Sequence, residues 1–482
     1  MKKIACLVAV LIVVATSAGQ IKLAPGDDKN RFALQLSPTC LAAQGPADEL
    51  SSELEKVALE EMKASGIPGA AIGIVSGDKI LLVKGFGVAS VETGLPVTAD
   101  TLFRLGSTTK MFTAAVLVQM ALDSKIDLHK PIGQYVKRLD PTIAKLTVDQ
   151  LLSHTAGLRN DDPPSDRADE GALGREVRSW KAKQLIVPPG VVYSYSNDGY
   201  WLAGFVAETV AGKPYASVVE DEILKPLGMT RSTFRLDMAS TYPLALGHRV
   251  SDGRAYVVRP VPDNPAGWPS GALFSTANDL CRWLLALMND GRLEGKQVLR
   301  KGLFEQLSAA HANIPSTRTH YGYGLALIEH RGFKMLQHSG ARAGYGSNIR
   351  IFPEKQVAIV ILTDGRGGQL PRTVTRASEL LLPLSPRKLV PTPETKEMTL
   401  AEMAEYVGTY NNGGDPVEIF IREGRLFMRV GKSELQLSKI ADRRLMMKEP
   451  GAAAPDELVM LPDKSGRITY IQVGSGALMR QK

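Results

Sequence analysis

The segment GSTTKMFTAAVLVQMALDSKI, residues 106–126, predicts a helix that is apolar on almost every side. Such a helix lies in the interior of a large protein, because none of its faces is suited to water. Gly106-Ser107 is its predicted N-terminus, and its start carries Ser107 and Lys110. Side chains three positions apart on a helix share one face. The segment therefore predicts a core helix with a serine–lysine pair at its beginning.

The pair has a chemical interpretation and a structural one. A serine hydroxyl becomes a useful nucleophile when a base lies within hydrogen-bond reach, roughly 2.6–3.2 Å. Burial disfavours the charged form of Lys110, so its pKa can fall far enough for the amine to accept a proton. The N–H groups at a helix N-terminus also suit a developing oxyanion. Alternatively, Ser107 only caps the helix and Lys110 extends into water. The pair alone leaves both interpretations open.

The same spacing occurs twice more in the chain, at Ser76–Lys79 and at Ser385–Lys388. The first match joins two apolar stretches and predicts the tip of a β-hairpin, where nothing would keep the lysine from water. The second contains Pro386 in a proline-rich stretch, which does not open a regular helix. Of the three matches, only Ser107 and Lys110 therefore lie on a segment that is predicted to be buried.

The composition predicts a soluble, globular protein with a large core and an accessory domain. The chain has 482 residues, 44% of them hydrophobic and 22% charged, which is ordinary for such proteins. Its net charge of +8 is dispersed and forms no basic run of the nucleic-acid-binding type. No Cys-x-x-Cys or His/Cys cluster is present. We therefore expect no nucleic-acid partner, no metal and no organic cofactor.

The N-terminus, MKKIACLVAVLIVVATSAGQ, predicts a secretory signal peptide over residues 1–18. Its apolar run is short for a membrane anchor, which is the alternative. We expect a leader over residues 19–45, and an exported mature protein, periplasmic or secreted, without stable membrane insertion. Of the cysteines that would remain, Cys40 and Cys281 either form one disulfide or leave Cys281 as a buried free thiol.

The rest of the chain divides into three predicted parts. The first part covers residues 46–382. It contains a helical pattern at 47–66, a strand pair around Ser76, a mixed region at 125–265, a helix around Cys281 and successive strands at 321–364. Residues 383–398 contain several prolines and charges and predict a linker. Residues 399–482 contain short strands separated by turns and predict a small antiparallel sheet or barrel.

Two further motifs carry groups that would complete the serine–lysine pair. Tyr195 can relay a proton, and Asn197 can bind a substrate amide. The strand motif His338-Ser339-Gly340 can bind a substrate along its backbone. Each pattern also occurs elsewhere, for example at Tyr410, so each alone is more typical of structural residues. The ordered set of serine–lysine, tyrosine–asparagine and histidine–glycine is the specific signal.

This ordered set resembles the serine β-lactamase and penicillin-binding-protein superfamily. It is most similar to the branch of class C β-lactamases, D-Ala-D-Ala carboxypeptidases, D-aminopeptidases and β-lactamase-like esterases. The stretches GIPGAAIGIV (66–75), LTVDQLLSHTAGL (146–158) and PSGALFSTANDLCRW (269–283) match the same branch, and the resemblance covers about residues 50–380. It implies an α+β sandwich, a β-lactamase/transpeptidase-like domain with an antiparallel sheet flanked by helices. The C-terminal barrel is similar to lipocalin-like modules, which either cover the active-site mouth or assist homo-oligomer formation.

The resemblance also implies a role for each motif residue. Ser107 would be acylated, Lys110 would act as its base, Tyr195 would shuttle protons and Asn197 would hold the substrate amide. The substrate strand would be His338, Ser339 and Gly340, and the backbone N–H groups of Ser107 and Ala341 would form the oxyanion hole. His154 is interpreted as part of a shared scaffold motif.

Class C β-lactamases usually carry lysine where this chain has His338. A histidine is charged only near or below its pKa, about 6.5 when unperturbed, so it suits a substrate carboxylate less well. The leading hypothesis is an exported serine hydrolase acting on a small-molecule or peptide substrate: a D-amino-acid peptide, a β-lactam or a small acyl ester. The alternatives are a penicillin- or peptidoglycan-binding sensor that is acylated without turnover, and a protein whose main functional part is the barrel.

Overall fold

The computed structural model describes residues 46–161, 169–365, 369–387, 393–447 and 456–481. The predicted signal peptide and leader lie outside these ranges, as do Cys40, Lys388 and parts of the 159–171 excursion and the 383–398 linker. The α-helices are α1 Pro46–Ser65, α2 Lys110–Leu122, α3 Val148–Leu152, α4 Ala172–Ser179, α5 Asn197–Ala211, α6 Tyr215–Val219, α7 Leu236–Ala239, α8 Trp268–Gly271, α9 Ala277–Met288, α10 Leu303–Leu307, α11 Pro371–Leu381 and α12 Leu400–Tyr406.

The strands fall into one large sheet, one barrel and three short pairs. They are β1 Gly69–Ser76, β2 Lys79–Gly87, β3 Phe103–Arg104, β4 His248–Ser251, β5 Arg254–Val257, β6 Phe274–Ser275, β7 Arg292–Leu293, β8 Lys296–Gln297, β9 Ala312–Ile314, β10 Thr319–Tyr321, β11 Ala326–His330, β12 Phe333–Arg342, β13 Tyr345–Phe352, β14 Val357–Thr363, β15 Gly408–Asn411, β16 Val417–Arg422, β17 Arg425–Val430, β18 Ser433–Ala441, β19 Arg444–Met447, β20 Asp456–Pro462, β21 Ile468–Val473 and β22 Gly476–Arg480.

The large sheet is antiparallel, with the order β2-β1-β14-β13-β12-β11-β10-β9. Every residue of β14 is buried, as expected for a strand covered on both faces. Alternate residues of this strand face different cores. Ile359 and Ile361 pack towards α1 and α11, whereas Val360 and Leu362 belong to the core that contains α2, α5 and α9.

Helix α2 occupies the centre of the larger core, and its residues from Lys110 to Met120 are all buried. Helix α9 lies close to β1 because Gly73 has no side chain there. A Cβ on Gly73 would lie 2.6 Å from the Sγ of Cys281. Cys281 is a buried free thiol, and burial raises its pKa to about 12.

The C-terminal strands β15 to β22 form a closed barrel, in which β22 pairs back with β15. Its interior is packed with apolar side chains such as Leu437, Leu458 and Met460. The barrel and the sheet domain belong to one compact unit, residues 46–482. None of the helices in the described ranges is long and apolar enough to cross a membrane.

The predicted α+β sandwich and the C-terminal barrel are both confirmed. The hairpin at residues 69–87 is also present, and Ser76 pairs with Lys79 across its turn. Helix α12, which precedes the barrel, was not predicted. Its signal is a capping pattern, because the side chain of Thr399 accepts a hydrogen bond from the N–H of Glu402.

Candidate active site

The serine–lysine pair lies at the junction of two helical segments. Residues Gly106–Thr109 form a 3₁₀ turn, and Lys110 is the first residue of α2. In a 3₁₀ turn, side chains three apart are eclipsed, so Ser107 and Lys110 point the same way even more closely than in an α-helix. Ser107 lies within the turn, and no side chain caps it. The interpretation of Ser107 as a helix cap is therefore wrong.

Lys110 is completely buried, and its amine makes three hydrogen bonds. Nζ lies 3.3 Å from Oγ of Ser107, 2.7 Å from Oδ1 of Asn197 and 2.8 Å from the carbonyl oxygen of Ser270. In its neutral form the amine donates its two N–H groups to Asn197 and Ser270, and its lone pair is free to accept from the Ser107 hydroxyl. Burial, followed by the positive charge of Arg342, lowers the pKa of Lys110 well below its ordinary value. The amine thus faces the serine hydroxyl in an environment that favours its neutral form.

Tyr195 and Asn197 lie on the segment that leads into α5. Ser196 caps this helix, because its hydroxyl accepts a hydrogen bond from the N–H of Gly199 at 3.0 Å. The ring of Tyr195 has its centroid 4.8 Å from Nζ of Lys110. Burial raises the pKa of Tyr195, and a hydrogen bond with Ser107 partly opposes the rise. Tyr195 is therefore a protonated phenol at neutral pH, next to Ser107.

Two glycines allow β12 to approach the serine turn. A Cβ on Gly340 would lie 2.9 Å from the backbone nitrogen of Ser107, and a Cβ on Gly106 would lie 2.7 Å from that of Ala341. Gly106 also has a φ of +57°, which side chains disfavour. The backbone nitrogens of Ser107 and Ala341 thus flank the same close approach, as the predicted oxyanion hole requires.

His338 is buried, and both of its ring nitrogens have partners. Nδ1 is 2.7 Å from the carbonyl oxygen of Ser339, so it carries the proton and donates. Nε2 is 3.0 Å from the hydroxyl of Tyr321 and accepts from it. Burial, followed by the charge of Lys110, lowers the pKa of His338 to about 3. The ordinary histidine pKa assumed from the sequence does not apply, and His338 is neutral throughout the physiological range.

These residues open into a cavity of about 370 Å³. Its described lining includes Ser107, Tyr195 and the strand residues from Gln337 to Ala341, and none of the lining side chains is Asp, Glu, Lys or Arg. Tyr193, Ile314 and Tyr321 supply an apolar wall, and Ser475, from the turn between β21 and β22, completes the lining. The cavity is thus lined by residues of both the sheet domain and the barrel.

Sequence reasoning did not identify three residues of this site. Ser270 contributes only its carbonyl oxygen, a group that every residue carries. Tyr321 lies in the stretch YGYGLAL, which carries no catalytic pattern. Ser475 comes from a turn that is remote in sequence and has no motif. The competing Tyr410 is buried in the barrel core, away from the serine.

A family model described as Beta-lactamase matches residues 54–382. The unguisins hydrolase ungD of Aspergillus violaceofuscus is 28% identical over 358 residues, which cover 67% of this chain and 63% of that protein. This chain therefore spans less than two thirds of the hydrolase. Penicillin-binding protein 4 of Amycolatopsis lactamdurans is 28% identical over 368 residues, 73% of this chain and 95% of that protein.

Two solved structures resemble the chain over nearly its whole length. The crystal structure of SurE has a TM-score of 0.77 and 25% identity and covers 91% of this chain and 100% of its own. The octameric penicillin-binding protein homologue from Pyrococcus abyssi has a TM-score of 0.62 and 23% identity, with coverage of 89% and 100%. The second likeness shows the shared fold alone.

Proposed function

Because this chain belongs to the beta-lactamase family, whose model spans residues 54–382, we propose that it is a serine hydrolase that cleaves an amide or ester bond through an acyl-enzyme on Ser107. One observation carries the proposal: Lys110 is completely buried, with its amine 3.3 Å from the Oγ of Ser107. Relatives that include a hydrolase and a penicillin-binding protein support a hydrolase or acyl-transfer function.

Acylation begins when Lys110, in its neutral form, takes the proton of the Ser107 hydroxyl. The serine oxygen attacks the substrate carbonyl carbon, and the N–H groups of Ser107 and Ala341 stabilise the resulting oxyanion. The bond to the leaving amine or alcohol then breaks. Tyr195 donates its phenol proton to the leaving group and recovers a proton from Lys110, so that no net charge is left in the site.

Deacylation uses the same groups in reverse. Water gives a proton to the Tyr195–Lys110 pair and attacks the ester on Ser107, and the serine oxygen recovers a proton as the acid product leaves. Asn197 supports both steps. Its Oδ1 accepts from Lys110 at 2.7 Å, which leaves its amide N–H₂ group available to donate to a substrate carbonyl.

The charges of the site favour an uncharged substrate. His338 is neutral above about pH 4 because its pKa is about 3, and its two ring nitrogens already have partners. The apolar wall formed by Tyr193, Ile314 and Tyr321 suits a hydrophobic acyl group. We therefore expect short acyl esters and D-peptide amides to be better substrates than β-lactams, whose carboxylate would find no fixed cation among the described lining residues.

The test compares Ser107→Ala with Ser76→Ala, which changes the serine of the hairpin match. The wild type and Ser76→Ala are expected to hydrolyse a chromogenic short-chain ester, and Ser107→Ala to lose hydrolysis. Mass spectrometry after mixing with a penicillin would show a covalent adduct only where Ser107 is present. A lasting adduct on a protein that hydrolyses neither compound would favour the sensor. Equal losses in both variants would refute the assignment of Ser107.

We further propose that the protein is exported, on the strength of the predicted signal peptide at residues 1–18. Purification of the protein from a producing cell, followed by mass spectrometry of its N-terminal peptide, tests this. A first residue at or close to Gly19 is expected, and retention of Met1 in the mature protein would refute export by this route.

A further inference from the structure

Three consecutive backbone N–H groups around Tyr195 are bonded to two different parts of the molecule. The N–H of Ser194 donates to the carbonyl oxygen of His154 at 2.8 Å, and that of Ser196 donates to Nδ1 of the same histidine at 3.1 Å. Between them, the N–H of Tyr195 donates to the carbonyl oxygen of Ser475 at 2.8 Å. The segment around Tyr195 is thus held by hydrogen bonds to His154 on one side and to the barrel on the other.

His154 is held in an unfavourable state. Its φ is +59°, in the left-handed region that non-glycine residues seldom adopt. Because Nδ1 accepts a hydrogen bond, the neutral ring carries its proton on Nε2, and this buried N–H has no hydrogen-bond partner among the described residues. A strained backbone and an unsatisfied buried donor both cost folding free energy, so they persist only where the surrounding structure enforces them. Both are typical of functional sites.

The ring of His154 lies directly against the tyrosine. The two ring centroids are 4.2 Å apart, and the rings of Tyr200 and Tyr321 close the other sides of the imidazole. Burial, the largest cause, lowers the pKa of His154 well below its ordinary value. The imidazole is therefore uncharged and packs against the ring of Tyr195, and it is not one of the described residues that line the cavity.

The barrel holds the same segment through a fully buried glutamine. Nε2 of Gln472 donates to the carbonyl oxygen of Tyr193 at 2.9 Å, and its Oε1 accepts from the N–H of Ser316 at 3.1 Å. Ala477, on the following strand, donates its N–H to the hydroxyl of Ser194 at 3.3 Å. The turn between β21 and β22 therefore docks on the tyrosine segment through side-chain and backbone hydrogen bonds.

We propose that His154 and the barrel turn Val473–Gly476, with Gln472 beside it, form a clamp that positions the phenol of Tyr195 against Ser107 and Lys110. This clamp rests on the proposed function, because it acts on the reaction only through Tyr195. His154 and Gln472 are positioning residues, and the barrel is part of the active site. The clamp affects the rate of the chemical steps more than the binding of substrate.

The histidine side is tested with two variants of His154. His154→Leu removes the acceptor for the Ser196 N–H, whereas His154→Asn keeps an acceptor close to the position of Nδ1 and tolerates a positive φ. With a chromogenic short-chain ester, His154→Leu is expected to lower kcat about 10- to 100-fold, because a misplacement of about 1 Å can cost 10²-fold in rate. KM should change less than about threefold, and His154→Asn should recover most of the lost kcat. The pH profile should keep its midpoints in both variants.

The barrel side is tested with Gln472→Leu, which leaves the Tyr193 carbonyl and the Ser316 N–H unpaired. We expect kcat to fall about 10-fold with little change in KM. Two matched controls make the same chemical changes at exposed positions: His129→Leu in the sheet domain and Gln436→Leu on β18. Both controls should keep the wild-type kcat. Circular dichroism and thermal melting establish that each variant is folded.

Wild-type kcat in folded His154→Leu and Gln472→Leu would overturn the clamp. A His154→Asn variant as slow as His154→Leu, with a shifted pH profile, would also overturn it, because the imidazole would then carry protons itself. Should His154→Leu not fold, Gln472→Leu decides alone, and a wild-type kcat there refutes the clamp. A wild-type protein that neither hydrolyses the ester nor is labelled on Ser107 would instead refute the proposed function.

Discussion

Replacement of Gly340 by alanine tests the oxyanion hole without touching a catalytic side chain. The added Cβ would lie 2.5 Å from the Oγ of Ser347 and 2.9 Å from the backbone nitrogen of Ser107, and it would overlap the carbonyl oxygen of Leu105. That carbonyl cannot move aside freely, because the hydroxyls of Ser347 and Thr108 donate to it at 2.6 Å and 2.9 Å. Strand β12 must therefore move away from the serine turn.

The required shift sets the size of the effect. Carbon and oxygen atoms at these separations must move apart by about 1 Å, and a displacement of that size can cost about 10²-fold in rate. Loss of one oxyanion-hole donor costs about 10²- to 10³-fold in kcat, or roughly 2.7–4 kcal/mol of transition-state stabilisation. Overpacking in a tight region also costs about 1–3 kcal/mol of folding free energy. We expect Gly340→Ala to fold, to melt at a lower temperature and to lose at least about 100-fold in kcat.

The assay measures initial rates of ester hydrolysis together with thermal unfolding. Gly414→Ala is the matched control, because this glycine is exposed in the barrel domain and a Cβ there would lie 3.5 Å from its nearest neighbour atom, Oδ1 of Asn412. The control should keep both the wild-type rate and the wild-type melting temperature. A Gly340→Ala variant with kcat within about threefold of wild type would refute the close approach of β12 to the serine turn as the source of the oxyanion hole.

Three further substitutions test the charges of the molecule. Lys110→Met should lower kcat/KM by about 10²- to 10⁴-fold, because the proposed general base is lost. Initial rates of ester hydrolysis measure this, and a loss below about tenfold would contradict it. Arg342→Gln should raise the pKa of Lys110, because the positive charge of Arg342 now lowers it. The acid limb of the pH profile of kcat/KM should therefore move to higher pH. An acid limb that does not move would contradict the effect of Arg342 on Lys110. Asp364 is fully buried, and burial raises its pKa to about 8. Since the folded state keeps this proton while the unfolded state releases it, the free energy of unfolding should fall as the pH rises from about 4 to 8. Asp364→Asn should flatten that fall in denaturant titrations across this range, by up to about 1.4 kcal/mol per pH unit, and an unchanged slope would show that other groups cause it.

Local patterns in the sequence predicted the parts of the site that depend on side-chain type and short spacing. The pair Ser107 and Lys110 could be predicted because an apolar helix implies burial, and burial is what changes the chemistry of an amine. The 3₁₀ geometry of the turn was not predicted, but it also places side chains three residues apart on the same side. The hairpin at Ser76–Lys79 could be predicted for the same local reason, from two apolar stretches joined by turn residues.

Long-range backbone contacts could not be predicted in this way. The carbonyl oxygen of Ser270 reaches Lys110 across 160 positions of the chain, and a carbonyl has no residue-type signature. The contact of Ser475 with Tyr195 depends on how the barrel docks, which no single segment specifies. The state of His338 was predicted from its ordinary pKa, but its pairing with Tyr321 follows from the alignment of β10 with β12 in the folded sheet.

Burial away from water sets the protonation states of Lys110, Tyr195 and His338, and the three states are mutually compatible. Burial lowers the pKa of Lys110 and raises that of Tyr195, so the amine is disposed to accept a proton and the phenol keeps one to donate. The same burial leaves His338 neutral, so this side chain supplies no positive charge for a substrate carboxylate. We therefore expect that a site dry enough for Lys110 to act as a base also prefers neutral esters and amides.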